Sequence, residues 1–532
     1  MELHGSNILG ADVSKSGAAT FRTCDPASGR ELDTVFHEAT DAETARAVEI
    51  AEEAYASYRS KSPAEIANFL DAIAAALEEL GDALIARAHV ETRLPEARLL
   101  SERGRTTGQL RMFATLVREG SWVDARIDLA DRGRTPLPKS DLRRMLVSMG
   151  PVIVFGASNF PLAFSICGGD TASALAAGNP VVAKAHPAHP GTSEMAARAI
   201  QEAAKTTGMP PGVFSMLQGR SPAVSLALVR HPFTRAVGFT GSLQAGRALF
   251  DAAAARPSPI PVFAEMGSLN PVFVLPGALK TRAAGLAQKL AASVTLGVGQ
   301  FCTKPGQIAG IKGVDLDLFS EKLAASISSA APGTMLYKGI AERYHDGLLQ
   351  RSRTAGVHLA TEAPTAVPGG AAAPAAVLVG DAQSFLNDAT LREELFGPAT
   401  LVTACESREQ LEQIARRLDG QLTITIHGTE EDLIEYASLI GILREKAGRI
   451  VFGGVPTGVE VGPAMHHGGP YPATTDPRFT SVGTAAILRF ARPVCYQDSP
   501  QRCLPPELKD ENPRNIFRLV NGNWTREAVA QG

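Results

Sequence analysis

Cysteine and aromatic residues are scarce in this 532-residue chain, which has six cysteines, two tryptophans and 6% aromatic residues in all. Cys24, Cys167, Cys302, Cys405, Cys495 and Cys503 are too few and too scattered to form a disulfide framework in a chain this long. A reducing, cytoplasmic compartment is the expectation. Neither sign of charge dominates: 52 Lys+Arg face 55 Asp+Glu, a formal net charge of −3. No basic run offers the clustered cations that nucleic acid or an anionic membrane demands. No stretch approaches the roughly 18 uninterrupted apolar residues of a membrane span. The opening MELHGSNILGADVSKSG also lacks the apolar centre of a signal peptide. No G-x-G-x-x-G or G-x-x-x-x-G-K-[ST] follows an apolar run, so the two usual nucleotide fingerprints are missing. A small molecule is the expected partner.

What is present is ordinary globular material, 45% hydrophobic and 20% charged. At roughly 100–200 residues per domain it suffices for two to four domains. The first hundred residues read as helical. Thr40 with Glu43, and Ser62 with Glu65, have the spacing of the capping box, and Pro63 suits a first helical position. Ile66, Phe69, Leu70, Ile73 and Leu77 then recur at helical spacing and predict one buried stripe. From Pro151 the texture becomes short apolar runs between turns and helical segments: 152–155, 180–183, 214–217 and 236–239. Runs apolar at every position suit parallel strands covered on both faces, so a doubly wound α/β sheet is expected. A second series at 271–275, 401–403, 422–426 and 450–452 predicts a second α/β unit. Leu162–Ala177 reads as a helix packed on the first sheet, and the Ala/Pro/Gly-rich 363–380 as a loop. The polar stretch 124–150 fits either a projecting arm or a surface linker.

Several residues stand where chemistry is done. Lys184 ends the run Val181–Ala183 at the carboxyl edge of the predicted sheet, where open α/β folds bind ligands. Gly238-Phe239-Thr240-Gly241-Ser242 leaves a strand and enters a helix, a turn that aims free N–H groups and a hydroxyl at an anion. Asn159, in Ser158-Asn159-Phe160-Pro161, is placed to donate an amide N–H to an oxyanion. Cys302 lies between glycines in GVGQFCTKPG, which leaves the thiol accessible, whereas its rival Cys167 sits within a packed helix. Glu265 follows an apolar stretch, and burial there is expected to raise its pKa toward general-base range. His466-His467 has no third ligand at metal-site spacing, so no metal is expected.

Taken in this order and spacing, SNFP at 158–161, Lys184, GFTGS at 238–242, EMGSLNP at 265–271, GQFC at 299–302 and EELFGP at 393–398 resemble the aldehyde dehydrogenase superfamily along nearly the whole chain. REGSWVDARID (118–128), FGASNFPLAFS (155–165), KAHPAHPGTSE (184–194) and GGPYPAT (468–474) are similar to the subgroup that oxidises 2,5-dioxopentanoate, itself similar to bacterial fatty aldehyde dehydrogenases. The resemblance implies a Rossmann-type cofactor domain (1–123 and 150–264), an α/β catalytic domain (265–483), and an oligomerisation arm with a C-terminal segment (124–149 and 484–532) whose return strand is Thr484–Phe490. It implies a homodimer or homotetramer. It implies Cys302 as nucleophile through a thiohemiacetal and thioester, Asn159 with the Cys302 N–H as oxyanion holder, and Glu265 as activator of the hydrolytic water. Cofactor contacts fall to Lys184, His186, Ser158, Thr240, Gly241, Ser242, Glu394 and Phe396. Many NAD-using members carry a Glu where this chain has Pro187. Without it nothing repels a 2′-phosphate, and Lys184 with His186 is expected to favour NADP, with NAD possible. Arg111 is the candidate for a substrate carboxylate, with Gln109 and Arg118 behind it. Phe160 and Phe301, with Phe113 and Phe164, equally suit an apolar tunnel for long aldehydes. A cysteine hydrolase using Cys302 with His466 or His467 is the rival from another class.

Overall fold

The computed structural model describes residues 2–361 and 370–529. Both predicted capping boxes form. Thr40 Oγ1 accepts from Glu43 N (3.1 Å) at the head of helix Asp41–Tyr58, and Ser62 Oγ accepts from Glu65 N (3.3 Å) at the head of helix Pro63–Glu79. The expected stripe on the second helix is buried. It packs along the helix Glu96–Glu119, whose far side reaches the functional site.

The first seven-stranded sheet runs Val262–Glu265, Ala236–Thr240, Val152–Phe155, Val181–Lys184, Phe214–Leu217, Asn7–Leu9, Asp12–Ser14 in spatial order. Its first five strands are parallel, and three are buried at every residue. From Val152–Phe155 the chain winds one way through 181–184 to 214–217, then returns to fill the other side with 236–240 and 262–265. That strand is therefore a topological switch point. The register pairs Phe155 with Lys184 and Phe239, and Thr240 with Glu265. The loops carrying Asn159 and Ser242 thus leave the same carboxyl edge that holds Lys184 and Glu265. A second seven-stranded sheet contains Val272–Val274, Gln307–Ile311, Ala399–Cys405, Gln421–His427 and Ala447–Phe452, all parallel, with Ala376–Asp381 parallel and Val357–Leu359 antiparallel at one end.

The predicted arm forms a five-stranded sheet in which Leu142–Ser148 pairs antiparallel with Ala491–Gln497, register Ser148↔Ala491 to Leu142↔Gln497. The return strand is thus seven residues later than expected. Thr484–Phe490 is instead a 3-10 helix, because Ala486, Ile487 and Phe490 bury their side chains in the main core and Arg489 pairs with Asp170 (2.7 Å). The expected helix 162–177 is confined to Gly169–Ala176. The preceding residues form turns capped by the Glu102 carboxylate, which accepts from the N–H groups of Leu162 (2.8 Å) and Ala163 (3.0 Å). Of the expected loop 363–380, residues 363–369 lie outside the described residues, and Ala376–Asp381 is a strand inside the second sheet. Among the described residues no helix is long and apolar enough to cross a membrane.

Candidate active site

Cys302 is carried into the site by a chain reversal after the helix Pro276–Thr295. Gly297, Val298 and Gly299 have φ of 55°, 59° and 64°, left-handed backbone that turns the chain sharply. Gly299 is required for space as well, since a Cβ there would meet the Gly397 carbonyl carbon at 2.3 Å. The GQFC loop and the EELFGP loop therefore touch backbone to backbone. Asn270 anchors the cysteine loop on its far side: its Nδ2 donates to the carbonyls of Cys302 (2.8 Å) and Lys304 (3.1 Å). Cys302 is half-buried, and its Sγ lies 3.5 Å from His467 Nε2. That same nitrogen is 3.0 Å from Glu265 Oε1, and Ser481 Oγ donates to Glu265 Oε2. Asn159 meets the loop from the first sheet, one N–H of its side-chain amide donating to the Gln300 carbonyl (3.0 Å) while its backbone carbonyl accepts from Arg98 Nη2 (2.6 Å). The second N–H of that amide meets no acceptor among the described residues.

The electrostatics of the three reacting groups are coupled. Burial pushes the Cys302 thiol well above its usual pKa, and the carboxylates of Glu265 and Glu394 push the same way, against Arg105. Burial also pushes Glu265 up, but the His467 charge and hydrogen bonds from His467, Ser481 and Cys302 outweigh it, and the net shift is downward. This corrects the expectation of a raised Glu265 pKa. The carboxylate is ionised at neutral pH because it has donors, which no reading of its apolar neighbours in sequence reveals. Cys167 is buried, its thiol pushed up to about 12 by desolvation, and it faces Leu162 O (3.5 Å) in the core.

The Glu265, Cys302 and His467 donor atoms all lie within 4.8 Å of one another. His467, but not His466, thus gains two partners in space that its sequence neighbours do not supply. His467, offered only in the hydrolase reading, is a full member of the site.

Of the residues expected to hold a cofactor, Lys184, Thr240, Gly241, Ser242 and Ser158 lie at the carboxyl edge of the first sheet, and Glu394 and Phe396 on a loop of the second. Lys184 is 9% exposed and makes no hydrogen bond or ion pair among the described residues; burial lowers its pKa to about 8. Such an unpartnered buried ammonium suits an anionic or hydroxyl-rich ligand. Ser242 caps the helix Leu243–Ala254, with Thr240 and Gly241 leading into it and Gly241 N donating to Glu265 O (3.0 Å). Ser158 is half-buried in the Asn159 loop. Glu394 is half-buried against Gly267, where a Cβ would come within 2.7 Å of its Oε2; desolvation raises its pKa against the pull of Lys304. Phe396 packs beside it on the second core. These residues fit a dinucleotide. His186 needs a correction: burial, with neighbouring His189 and Lys184, lowers its pKa well below the usual value, and its Nδ1 accepts from Ala188 N (3.1 Å). It is a neutral ring, not a second cation for a phosphate.

On the substrate side Phe160 stands edge-on to Phe301 (5.4 Å) and Phe164 (5.3 Å), an aromatic wall next to Cys302. Phe113 is instead in the core. Arg111 is also displaced from its expected role. Its guanidinium forms a double hydrogen bond with Glu78 on the outer surface (2.6 and 2.7 Å), and Arg118 does likewise with Asn68 and Asp71. The inward face of the same helix carries Arg98, Glu102, Arg105 and Gln109. Their 4-3-4 spacing, a polar stripe on one helical face, is the signal of that face in the sequence.

The chain matches the model for the aldehyde dehydrogenase family over residues 13–439. It is 50% identical over 523 residues to alpha-ketoglutaric semialdehyde dehydrogenase 2 of Azospirillum brasilense, covering 98% of this chain and 99% of that one. It is 45% identical over 535 residues to alpha-ketoglutaric semialdehyde dehydrogenase of Acinetobacter baylyi, covering 99% of each. Among solved structures, Escherichia coli lactaldehyde dehydrogenase superposes with a TM-score of 0.81 at 20% identity over 93% of this chain and 99% of that one. A Pseudomonas syringae aldehyde dehydrogenase in complex with NAD+ and octanal superposes with a TM-score of 0.79, also at 20% identity, over 93% of this chain and 97% of that one. With the fold, the cysteine loop and the full-length similarity in agreement, the chain belongs to the aldehyde dehydrogenase family.

Proposed function

We propose that the protein oxidises 2,5-dioxopentanoate, the semialdehyde of 2-oxoglutarate, to 2-oxoglutarate, with NADP preferred over NAD. The reading is carried by the 50% identity over nearly the full length to the Azospirillum enzyme, joined to an intact Cys302, Asn159, Glu265 and His467. Cys302 gives its proton to solvent water, and the His467 Nε2–H, which lies 3.5 Å from Sγ and 3.0 Å from Glu265 Oε1, holds the resulting thiolate beside that carboxylate. The thiolate adds to the aldehyde carbon. The oxyanion takes the free N–H of Asn159 and the backbone N–H of Cys302, a contribution typically worth about 10²–10³ in rate per donor. Lys184, Ser158, Thr240, Gly241, Ser242, Glu394 and Phe396 would hold a nicotinamide dinucleotide, with His186 as a neutral donor, and the nicotinamide would supply the acceptor for the hydride given up as the thiohemiacetal becomes a thioester. Glu265 then takes a proton from water, the hydroxide adds to the thioester carbonyl, and the C–S bond breaks to return the Cys302 thiolate and release the acid.

The Cys302–His467 contact is also what a cysteine hydrolase uses. A hydrolase has no use for the Lys184 and Ser242 edge, and the thioester step accounts for the dyad. We read the protein as a cytoplasmic homodimer or homotetramer, in keeping with its six free cysteines and the arm sheet. The deciding measurement is kcat/KM for 2,5-dioxopentanoate, succinic semialdehyde and hexanal, each with NADP and with NAD. The dioxo acid with NADP is expected to lead. A clear preference for hexanal overturns the substrate, and a strong preference for NAD overturns the cofactor.

A further inference from the structure

The inward stripe of the helix Glu96–Glu119 divides into residues with a structural task and residues without one. Glu102 caps the turn at Leu162 and Ala163. Arg98 lies 4.8 Å from the centres of both the Phe160 and Phe301 rings and holds the Asn159 carbonyl. Arg449, the other cation whose field reaches Cys302, is bonded to the carbonyls of Pro456 (2.6 Å) and Gly458 (3.2 Å) and so secures a loop. Arg105 and Gln109 have no comparable employment. Nε and Nη2 of Arg105 and Nε2 of Gln109 are buried with no hydrogen-bond partner, although Gln109 is only 3% exposed. Buried donors left unpaired are rare and costly in folded proteins, and those that persist generally serve something that is absent.

Their location says what that is. The Arg105 guanidinium lies over the Phe164 ring (5.4 Å), and that ring is 6.5 Å from the His467 ring that touches Cys302. The carboxylates whose charge reaches Arg105 are those of Glu102, Glu265 and Glu460. None comes within 4.0 Å of it among the described residues. Gln109, one helical turn on, sits beside Gly169 and the Ser481 carbonyl on the same side.

We infer that Arg105 and Gln109 anchor the end of the substrate remote from the aldehyde, Arg105 taking its carboxylate and Gln109 its 2-oxo oxygen. A guanidinium presents a planar fork to a carboxylate, and an amide N–H suits a keto oxygen. The ligand class is a short ω-aldehyde acid with a keto group beside the carboxylate. This deepens the function proposed above and rests on it.

The test compares kcat/KM for 2,5-dioxopentanoate, 5-oxopentanoate and pentanal, which remove first the 2-oxo group and then the carboxylate. Arg105→Leu is expected to lower the ratio of dioxopentanoate to pentanal about 30-fold, mainly through KM, with Arg105→Lys recovering part of it. Gln109→Leu is expected to lower the ratio of dioxopentanoate to 5-oxopentanoate about tenfold, with the ratio of 5-oxopentanoate to pentanal kept. Damage to the fold lowers all three substrates together and leaves the ratios standing. Calorimetric titration of 2-oxoglutarate into Cys302→Ala protein, with and without Arg105→Leu, reads the anchor without turnover, and its affinity is expected to drop by a similar factor. A wild type that prefers pentanal defeats the substrate reading and the anchor with it. A wild type that prefers the dioxo acid while the variants keep its ratios and its 2-oxoglutarate affinity defeats the anchor alone.

Discussion

Glu265 illustrates how a residue's chemistry depends on partners far away in sequence. Apolar neighbours argue for a raised pKa, yet His467 and Ser481, 202 and 216 positions later, supply the donors that lower it. A carboxylate with a depressed pKa is charged above that value, so its contribution to deacylation is present at neutral pH and is lost only as pH falls through the acid range. Glu265→Gln removes the base and keeps the shape. A rapid-quench experiment should show a burst of about one reduced nucleotide per site and then a stall at the thioester, as when only the second half-reaction is blocked. Unchanged steady-state turnover would remove Glu265 from the mechanism. The two central cysteines separate just as cleanly. Cys302→Ala should abolish dehydrogenase turnover with nucleotide binding retained, while Cys167→Ala, in a core position with a thiol pushed up to about 12, should leave the chemistry nearly unchanged.

At the next scale the strand ends form the proposed binding edge, because the parallel register sets Phe155, Lys184 and Leu217 in one row. The strands themselves are legible in the sequence. In the first sheet the largely apolar runs match the observed limits within one residue, as expected of strands covered on both faces, whereas the run 450–452 in the second sheet misses the first three residues of Ala447–Phe452. Helix starts are legible for a similar reason, each cap being a short-range contact. Less legible are segments whose conformation is set by something distant: the turns at 161–168 held by Glu102, the 3-10 helix at Thr484–Phe490 drawn into the core, and the strand Ala376–Asp381 hidden in an Ala/Pro/Gly-rich stretch. At the Lys184 strand end the depressed pKa gives a signed expectation. The ammonium is charged below about 8, and an anionic nucleotide favours that charged form. Affinity for NADP should therefore weaken as pH rises through about 8, measured by titrating nucleotide fluorescence at each pH, and Lys184→Met should remove the slope. The same edge carries the proposed cofactor choice. Pro187→Glu places a carboxylate where a 2′-phosphate is expected, and should shift the ratio of kcat/KM toward NAD by like-charge repulsion.

At the scale of the whole molecule, the five-stranded arm ends on a free edge. Ala491–Gln497 pairs on one side with Leu142–Ser148 and on the other with nothing among the described residues. An uncovered seven-residue edge strand invites pairing with another chain, and two apolar side chains are exposed nearby: Leu137 is 70% exposed and Leu142 36%. Both side chains lie outside every buried core cluster, so charging them leaves folding largely intact. Light scattering coupled to gel filtration should place the wild type at two or four times the 55.9 kDa protomer mass. Leu137→Asp with Leu142→Asp should move it toward a smaller species, with an unchanged far-ultraviolet circular dichroism spectrum to exclude misfolding. A wild type that elutes as a monomer, or an assembly indifferent to both charges, would mean that the arm has some task other than joining protomers.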